Sequence, residues 1–183
     1  MKKLLLLTVA LGVLTAMTGC KVHFANSSSG WSANDLTAAT NVVQTAAIPA
    51  GLKGLDVDNR FGAIHITGTD TGATSWTWKL AVQARTEAIA EKLASSASCK
   101  AELVDGQLKL VVTLPDTKEP HGFQSDFEIR VPKSAAARAQ NRFGRIDIAD
   151  LAGDVEATDE NGRLEIWNIG GSVRARTSFD SLS

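Results

Sequence analysis

Apolar and polar residues alternate with a period of two along most of the chain beyond Leu55, which is the pattern of strands that bury one face. The alternation is regular in Trp76, Trp78, Leu80, Val82 and Ala84, in Phe127, Ile129 and Val131, and in Val155, Ala157, Leu164 and Ile166. Turn residues such as Asn161-Gly162 and Gly170-Gly171 separate the later runs. Residues 86–98 follow a different rule, because Ile89 and Leu93 lie four apart behind Thr86, a residue suited to capping. That spacing predicts a short helix. Asp105-Gly106 between Glu102–Val104 and Gln107–Leu114 predicts a hairpin, and Pro132 ends the strand built on Phe127 to Val131.

A repeat orders the C-terminal part. Residues 141–158 align without a gap on residues 159–176, with Gly144 on Gly162, Arg145 on Arg163, Ile148 on Ile166, Gly153 on Gly171, Val155 on Val173 and Ala157 on Ala175. A further copy starts at Thr177, where Phe179 matches Phe143 and Leu182 matches Ile146. Strands and turns repeating in register with a period of 18 predict an all-β chain of β-solenoid type, in which each coil buries its apolar face only by stacking on its neighbours. Asn59 to Ile66 repeats the core of Asn141 to Ile148 much earlier in the chain. Because the offset from Asn59 to Asn141 is not a whole multiple of the period, the chain must leave the coil between the two copies and return. The strand of residues 74–85, the helix and the hairpin form that excursion.

The N-terminus carries an address. Lys2 and Lys3 precede an apolar run from Leu4 to Met17 that is too short for a membrane span of about 20 residues and stops at Thr18-Gly19-Cys20. Leu14 to Cys20 resembles a bacterial lipobox, which implies cleavage after residue 19 and lipidation of Cys20. The acyl chains would hold the protein stably on a membrane. Lys21 stands where an inner-membrane retention signal has Asp, which favours the outer membrane in a cell with two membranes. Residues 1–19 are thus expected to be a signal peptide, residues 20–46 a flexible tether rich in small polar residues, and residues 47–183 the β-solenoid domain.

The order of a Phe-Gly turn, long strand, Ala-rich helix, hairpin, a strand ending Val131-Pro132 and then Gly-punctuated repeats resembles the bacterial putative-adhesin domain of unknown function, a β-solenoid family of envelope proteins. The resemblance covers about residues 50–183 and rests on Asn59 to Ile66, Ile129 to Pro132 and the repeats from Asn141 onward. It implies no established enzyme activity. It also implies more coils than the sequence contains, so the chain is expected to be a piece of a longer one.

Composition narrows the chemistry. With 19 Lys+Arg against 20 Asp+Glu, a net charge of -1 and no basic run, the chain lacks the electrostatic footprint of a nucleic-acid binder. Two Cys and three His leave no Cys/His zinc set, and no calcium repeat is present, so no metal or cofactor is assigned. The candidate acid-base set is Asp147, Asp150, Asp154, Asp159, Glu160 and Glu165. Asp147 and Glu165, one period apart, are expected to stack on the outward face with Arg145 and Arg163 compensating them diagonally, which reads as a solvated mixed-charge face. His65, in the repeat position of Asp147, should also point outward; His23 falls in the tether and His121 in a loop. Cys99 is expected to be a buried thiol at the helix end, with an intermolecular disulfide as the alternative. Trp76 and Trp78 share one strand face, as core residues do.

The resulting expectation is a non-enzymatic envelope lipoprotein, anchored through Cys20, that presents a rigid surface to an unidentified protein or glycan partner. The competing readings are a sensory or regulatory envelope component and a glycan-active β-helix enzyme working through Asp147 and Glu165.

Overall fold

The computed structural model describes residues 36, 38–48, 50–70, 74–118 and 121–178. Ten strands and one helix follow in the order β1 (Ala38–Ala47), β2 (Gly54–Asp58), β3 (Phe61–Thr69), β4 (Ser75–Ala84), α1 (Glu87–Ser96), β5 (Ser98–Val104), β6 (Gln107–Thr113), β7 (His121–Pro132), β8 (Ala136–Leu151), β9 (Val155–Ile169) and β10 (Val173–Thr177). The chain is all-β apart from α1, and the strands join in one ten-stranded sheet that curls into a half-barrel.

Two long strands make the curl. The first part of β8 pairs in parallel with β2, as Leu55 with Ala137, and its second part with β3, as Ile64 with Ile146. Both matches keep the offset that separates Asn59 from Asn141 in the chain. Beyond β8 the offset becomes that of the repeat: Ile146 pairs with Leu164, Ile148 with Ile166, and Val155 with Val173. The two halves expected as separate short strands are continuous in β8 and β9, whose ladder skips only Arg142–Glu160 at the corner and Asp150–Asn168 further on. The excursion then widens both walls. On one wall the order runs β8, β3, β7, β4, β1, with β4 antiparallel between β7 and β1; on the other, β6 and β5 continue outward from β2.

Aligned registers turn single side chains into rows. Trp78, Phe127, Ile64, Ile146 and Leu164 are paired neighbours on five successive strands, and none is more than 2% exposed. Leu108, Leu55, Ala137 and Val155 form a corresponding inward row on the other wall. Covering a Leu- or Ile-sized side chain is worth about 1.5–3 kcal/mol, so the rows dominate the packing energy. Trp78 meets its polar need by donating from Nε1 to Ser125 Oγ at 2.8 Å.

The local signals read from the chain are met by the helix and hairpin. Thr86 caps α1 by accepting the Ile89 amide, and α1 packs on β1 and β4. Asp105 and Gly106 both take positive φ at the β5–β6 turn, as a two-residue hairpin of the primed kind requires. Two boundaries need correction. The tether expected over residues 20–46 is a strand from Ala38 onward, antiparallel to β4. Its small and polar residues hide it, because an edge strand half-covered by its neighbour needs only weak alternation. Strand β5 begins at Ser98, so Cys99 belongs to that strand rather than to the helix end.

At the corner between the walls the backbones come unusually close. Gly62 and Gly144 pair with each other and take φ of 110° and 136°, and Gly144 pairs in turn with Gly162. A methyl group on Gly144 would run into the carbonyl oxygen of Gly62, and one on Gly162 into that of Gly144. Gly144→Ala combines this clash with an unfavourable φ, so a loss of about 2–4 kcal/mol is expected. A urea titration followed by circular dichroism measures it, and Arg142→Ala, on the exposed side of the same corner, should stay within about 0.5 kcal/mol of the native chain.

Candidate functional site

Outward-facing side chains form rows as regular as the inward ones. Across β5, β6, β2, β8, β9 and β10 the paired positions are Glu102, Lys109, Asp56, Arg138, Glu156 and Arg174, so the sign alternates at every strand. Arg138 lies 4.0 Å from Asp56 and 3.9 Å from Glu156. A cleft of about 460 Å³ is lined by four members of this row, Asp56, Arg138, Glu156 and Arg174, together with residues of the inward row from Leu55 to Val173. Such exposed opposite charges facing each other on neighbouring strands contribute a few tenths of a kcal/mol to about 1 kcal/mol per pair.

The other wall carries a second row, Glu128, His65, Asp147 and Glu165 on β7, β3, β8 and β9. His65 Nδ1 lies 2.8 Å from Asp147 Oδ2, and Arg145 Nε donates to the same oxygen at 2.8 Å. Lys79 donates to Glu128 at 2.7 Å, and that hydrogen bond holds the Glu128 carboxyl below its usual range. Arg163 pairs with Glu165. Both arginines therefore reach the acid two positions ahead on their own strand, where diagonal contacts between strands were expected. Asp147 also departs from a solvated face. Its side chain is 9% exposed, because His65 and Arg145 close over it, and its Oδ1 has no hydrogen-bond partner.

The remaining candidate acids are held by neighbours one repeat away or beside them. Asp150 takes a φ of 60° and accepts from Asn168, which stands one repeat further on with a φ of 54°. Asp154 accepts both the amide and the hydroxyl of Ser172 at 2.8 Å, the amide chiefly keeping its carboxyl below the ordinary range. Glu160 pairs with Arg142 at 2.9 Å. These six carboxylates are spread over two walls and the turns between them; they do not converge on one gap. Among the described residues no three His, Cys, Asp or Glu side chains are grouped to hold a metal ion.

Asp159 lies inward in the corner column that begins with Asn59 and Asn141. Asn59 Nδ2 donates to the Ser125 carbonyl at 2.7 Å, and Asn141 Nδ2 donates to the Gly62 carbonyl at 2.8 Å. One repeat beyond Asp159, Thr177 Oγ1 donates to the Gly162 carbonyl at 3.1 Å. These three side chains thus each reach the backbone of the neighbouring strand with a donor. Asp159 has none to offer as a carboxylate. It is fully buried, accepts the Asn161 amide at 3.2 Å on Oδ1, and leaves Oδ2 unpaired. Burial pushes its carboxyl above the usual range, against the lowering pull of the Asn161 and Asn141 contacts.

Cys99 is buried, and burial pushes its thiol up to about 12, so the thiolate needed for disulfide exchange is scarce there. His121 opens β7 with its ring 4.7 Å from that of Phe123. Phe61 and Phe143 stack at 5.4 Å on the corner, under the Arg60 guanidinium 5.1 Å from the Phe61 ring. Cys20 and His23 lie outside the described residues. The alternating charge row escaped the reading of the chain, although Arg138, Glu156 and Arg174 differ by one repeat each and the period alone aligns them.

Comparison with known proteins adds the fold. No family model matches the chain, and neither does any curated protein. Among solved structures, a putative cell adhesion protein from Clostridium sporogenes superposes with a TM-score of 0.50 at 12% identity, over 75% of this chain and 68% of that one. A putative adhesin from Parabacteroides distasonis gives 0.34 at 10% identity, over 73% of this chain and 65% of that one.

Asp159→Asn restores the missing donor and removes a buried charge, so it should raise stability by about 1 kcal/mol at neutral pH. The native chain keeps the stability linked to protonated Asp159 below the ordinary carboxylate pKa of about 4 and loses it as pH rises through the raised folded-state value. The gap in Tm between variant and native chain therefore widens from about pH 3 to about pH 7. Calorimetry at both ends checks this; a gap that narrows with rising pH contradicts it.

Proposed function

We propose that the chain is a non-enzymatic, adhesin-like module of the bacterial cell envelope, built as a β-solenoid on the coil period read from the repeat and anchored through a lipid on Cys20. In this reading residues 1–19 direct export and are removed, and the domain serves as a rigid display surface. The observation that carries it is the shared register of β2, β8, β9 and β10, which repeats one outward side chain per strand in a straight line. A surface of that kind suits recognition by an extended partner, since neighbouring contacts recur at about 4.8 Å without any movement of the protein.

The carboxylates also fit display better than hydrolysis. Glycan cleavage needs two carboxyl groups separated across a bond, one of them free to hold or give a proton. Asp147 and Glu165 instead stack along one wall, each engaged by the arginine two positions behind it. The fold shared with the Clostridium sporogenes protein, which is described as a putative cell adhesion protein, supports the same reading.

Bacteria expressing the chain and fed an alkyne-tagged palmitate should label it at Cys20, and Cys20→Ala should abolish the label and release the domain from membranes. Equal labelling of the two proteins rejects the anchor. Cells carrying the anchored form should adhere to one another or to an abiotic surface more than cells carrying Cys20→Ala; equal adhesion rejects the display role.

A further inference from the structure

The corner column is built from inward side chains that each reach across to a neighbouring strand. Asn59 donates to the Ser125 carbonyl of β7, Asn141 to the Gly62 carbonyl of β3, and Thr177 to the Gly162 carbonyl of β9. The step from β9 back to β8 is the exception. Its acceptor by register is the Gly144 carbonyl, because Gly144 pairs with both Gly62 and Gly162. A methyl group on Gly162 would touch that carbonyl oxygen and Asp159 Oδ2 together, so the two oxygens face one small space. Asp159 is fully buried between β8 and β10, and among the described residues its Oδ2 has no hydrogen-bond partner.

We propose that Asp159 is a proton-operated clasp for this step of the corner. In its acid form the carboxyl donates from Oδ2 to the Gly144 carbonyl and completes the column. As a carboxylate it sets one acceptor against another and leaves a buried charge unpaired, which is costly, so the corner between β8 and β9 opens locally. Burial holds the carboxyl above its ordinary range, which keeps the acid form at pH values where an exposed aspartate is ionised. Stability linked to a raised folded-state pKa is present in acid and lost as pH rises through the raised value, so the clasp closes in acid and opens in alkali.

The groups around Asp159 leave it to titrate largely by itself. Opposite it stand Asn141 on β8 and Thr177 on β10, both neutral. On its own strand Glu160 is exposed, pairs with Arg142 of β8 and adds a smaller upward push. Arg176 of β10 is exposed and opposite Thr158. Nearer the start of the column, Asp126 of β7 accepts from the Ala63 amide and from Gln124, and Arg60 lies over the Phe61 ring. Because β9 carries Glu156 and Glu165 of the two outward rows, a looser corner also loosens their alignment with Arg138 and Asp147. Acid thus stiffens the outer face at β9 without altering any side chain on it. The clasp needs neither the lipid anchor nor the adhesin-like role.

Hydrogen exchange of the full chain, read by mass spectrometry at about pH 5 and about pH 8 and corrected for intrinsic rates, tests the clasp. Amides of residues 158–163 should be about tenfold or more better protected at the lower pH, while those of residues 59–64, whose corner is held by asparagines, should change less than about twofold. Asp159→Asn, which donates at any pH, should keep residues 158–163 protected at both. Asn141→Asp should transfer the pH response to residues 59–64. The carbon-13 shift of the Asp159 carboxyl should titrate in step with the loss of protection. Protection of residues 158–163 that ignores pH, a pH response that survives in Asp159→Asn, or a carboxyl that titrates apart from the opening would each overturn the proposal. Should Asn141→Asp fail to fold, those three measurements decide.

Discussion

Close parallel stacking at the corner of the half-barrel is the constraint on which the other features depend. Where Gly62, Gly144 and Gly162 meet, backbone approaches backbone without room for a methyl group. That approach locks β3, β8 and β9 into one register, and the lock propagates along both walls because β8 and β9 are continuous through the bend. Once register is fixed, inward positions on the two walls are apolar, the corner column of Asn59, Asn141 and Asp159 excepted, and outward positions inherit a straight line. The Asn59 and Asn141 side chains reinforce the corner by donating to carbonyls of the adjacent strand, so the tightest part of the fold is also held by directed hydrogen bonds.

The excursion extends this order without sharing its period. Strands β4 and β7 continue the row that starts at Leu164 and passes through Ile146 and Ile64, and they do so with larger residues, Phe127 and Trp78. The wall therefore thickens away from the repeats. Helix α1 then packs on β1 and β4, at the end of the sheet opposite β9 and β10. One end of the molecule is closed by aromatic bulk and a helix. The end at β10 carries small residues and arginines that have no carboxylate partner among the described residues.

Much of this architecture was legible in the chain because register in a stack is a sequence period. The repeat offset predicts the pairing of β8 with β9 and of β9 with β10, and the early copy at Asn59 to Ile66 marks β3 as a strand of the same kind. Local chemistry did the same for Thr86 and for Asp105-Gly106. What escaped had non-local causes. Strand β1 has no pattern strong enough to announce it, since its partner β4 supplies the apolar face. Asp147 looks like a surface acid from its period, and it is covered because Arg145 and His65, the latter from a distant part of the chain, both arrive at its Oδ2. Asp159 occupies an asparagine position, a conflict visible only when the corner column is assembled. Of the candidate chemistry, the placement of acids on outward lines was readable, and their individual partners were not.

A register that repeats without drift also sets how such a chain can change length over generations. In β8, β9 and β10 the edge that one repeat offers is nearly the edge it receives, so duplication of a whole repeat beyond Asn141 inserts a unit that already fits both neighbours. A single inserted residue has the opposite fate, because it turns one wall inside out from that point onward. Descendants of this sequence should therefore differ by whole blocks in the stack and by arbitrary lengths only between β3 and β8.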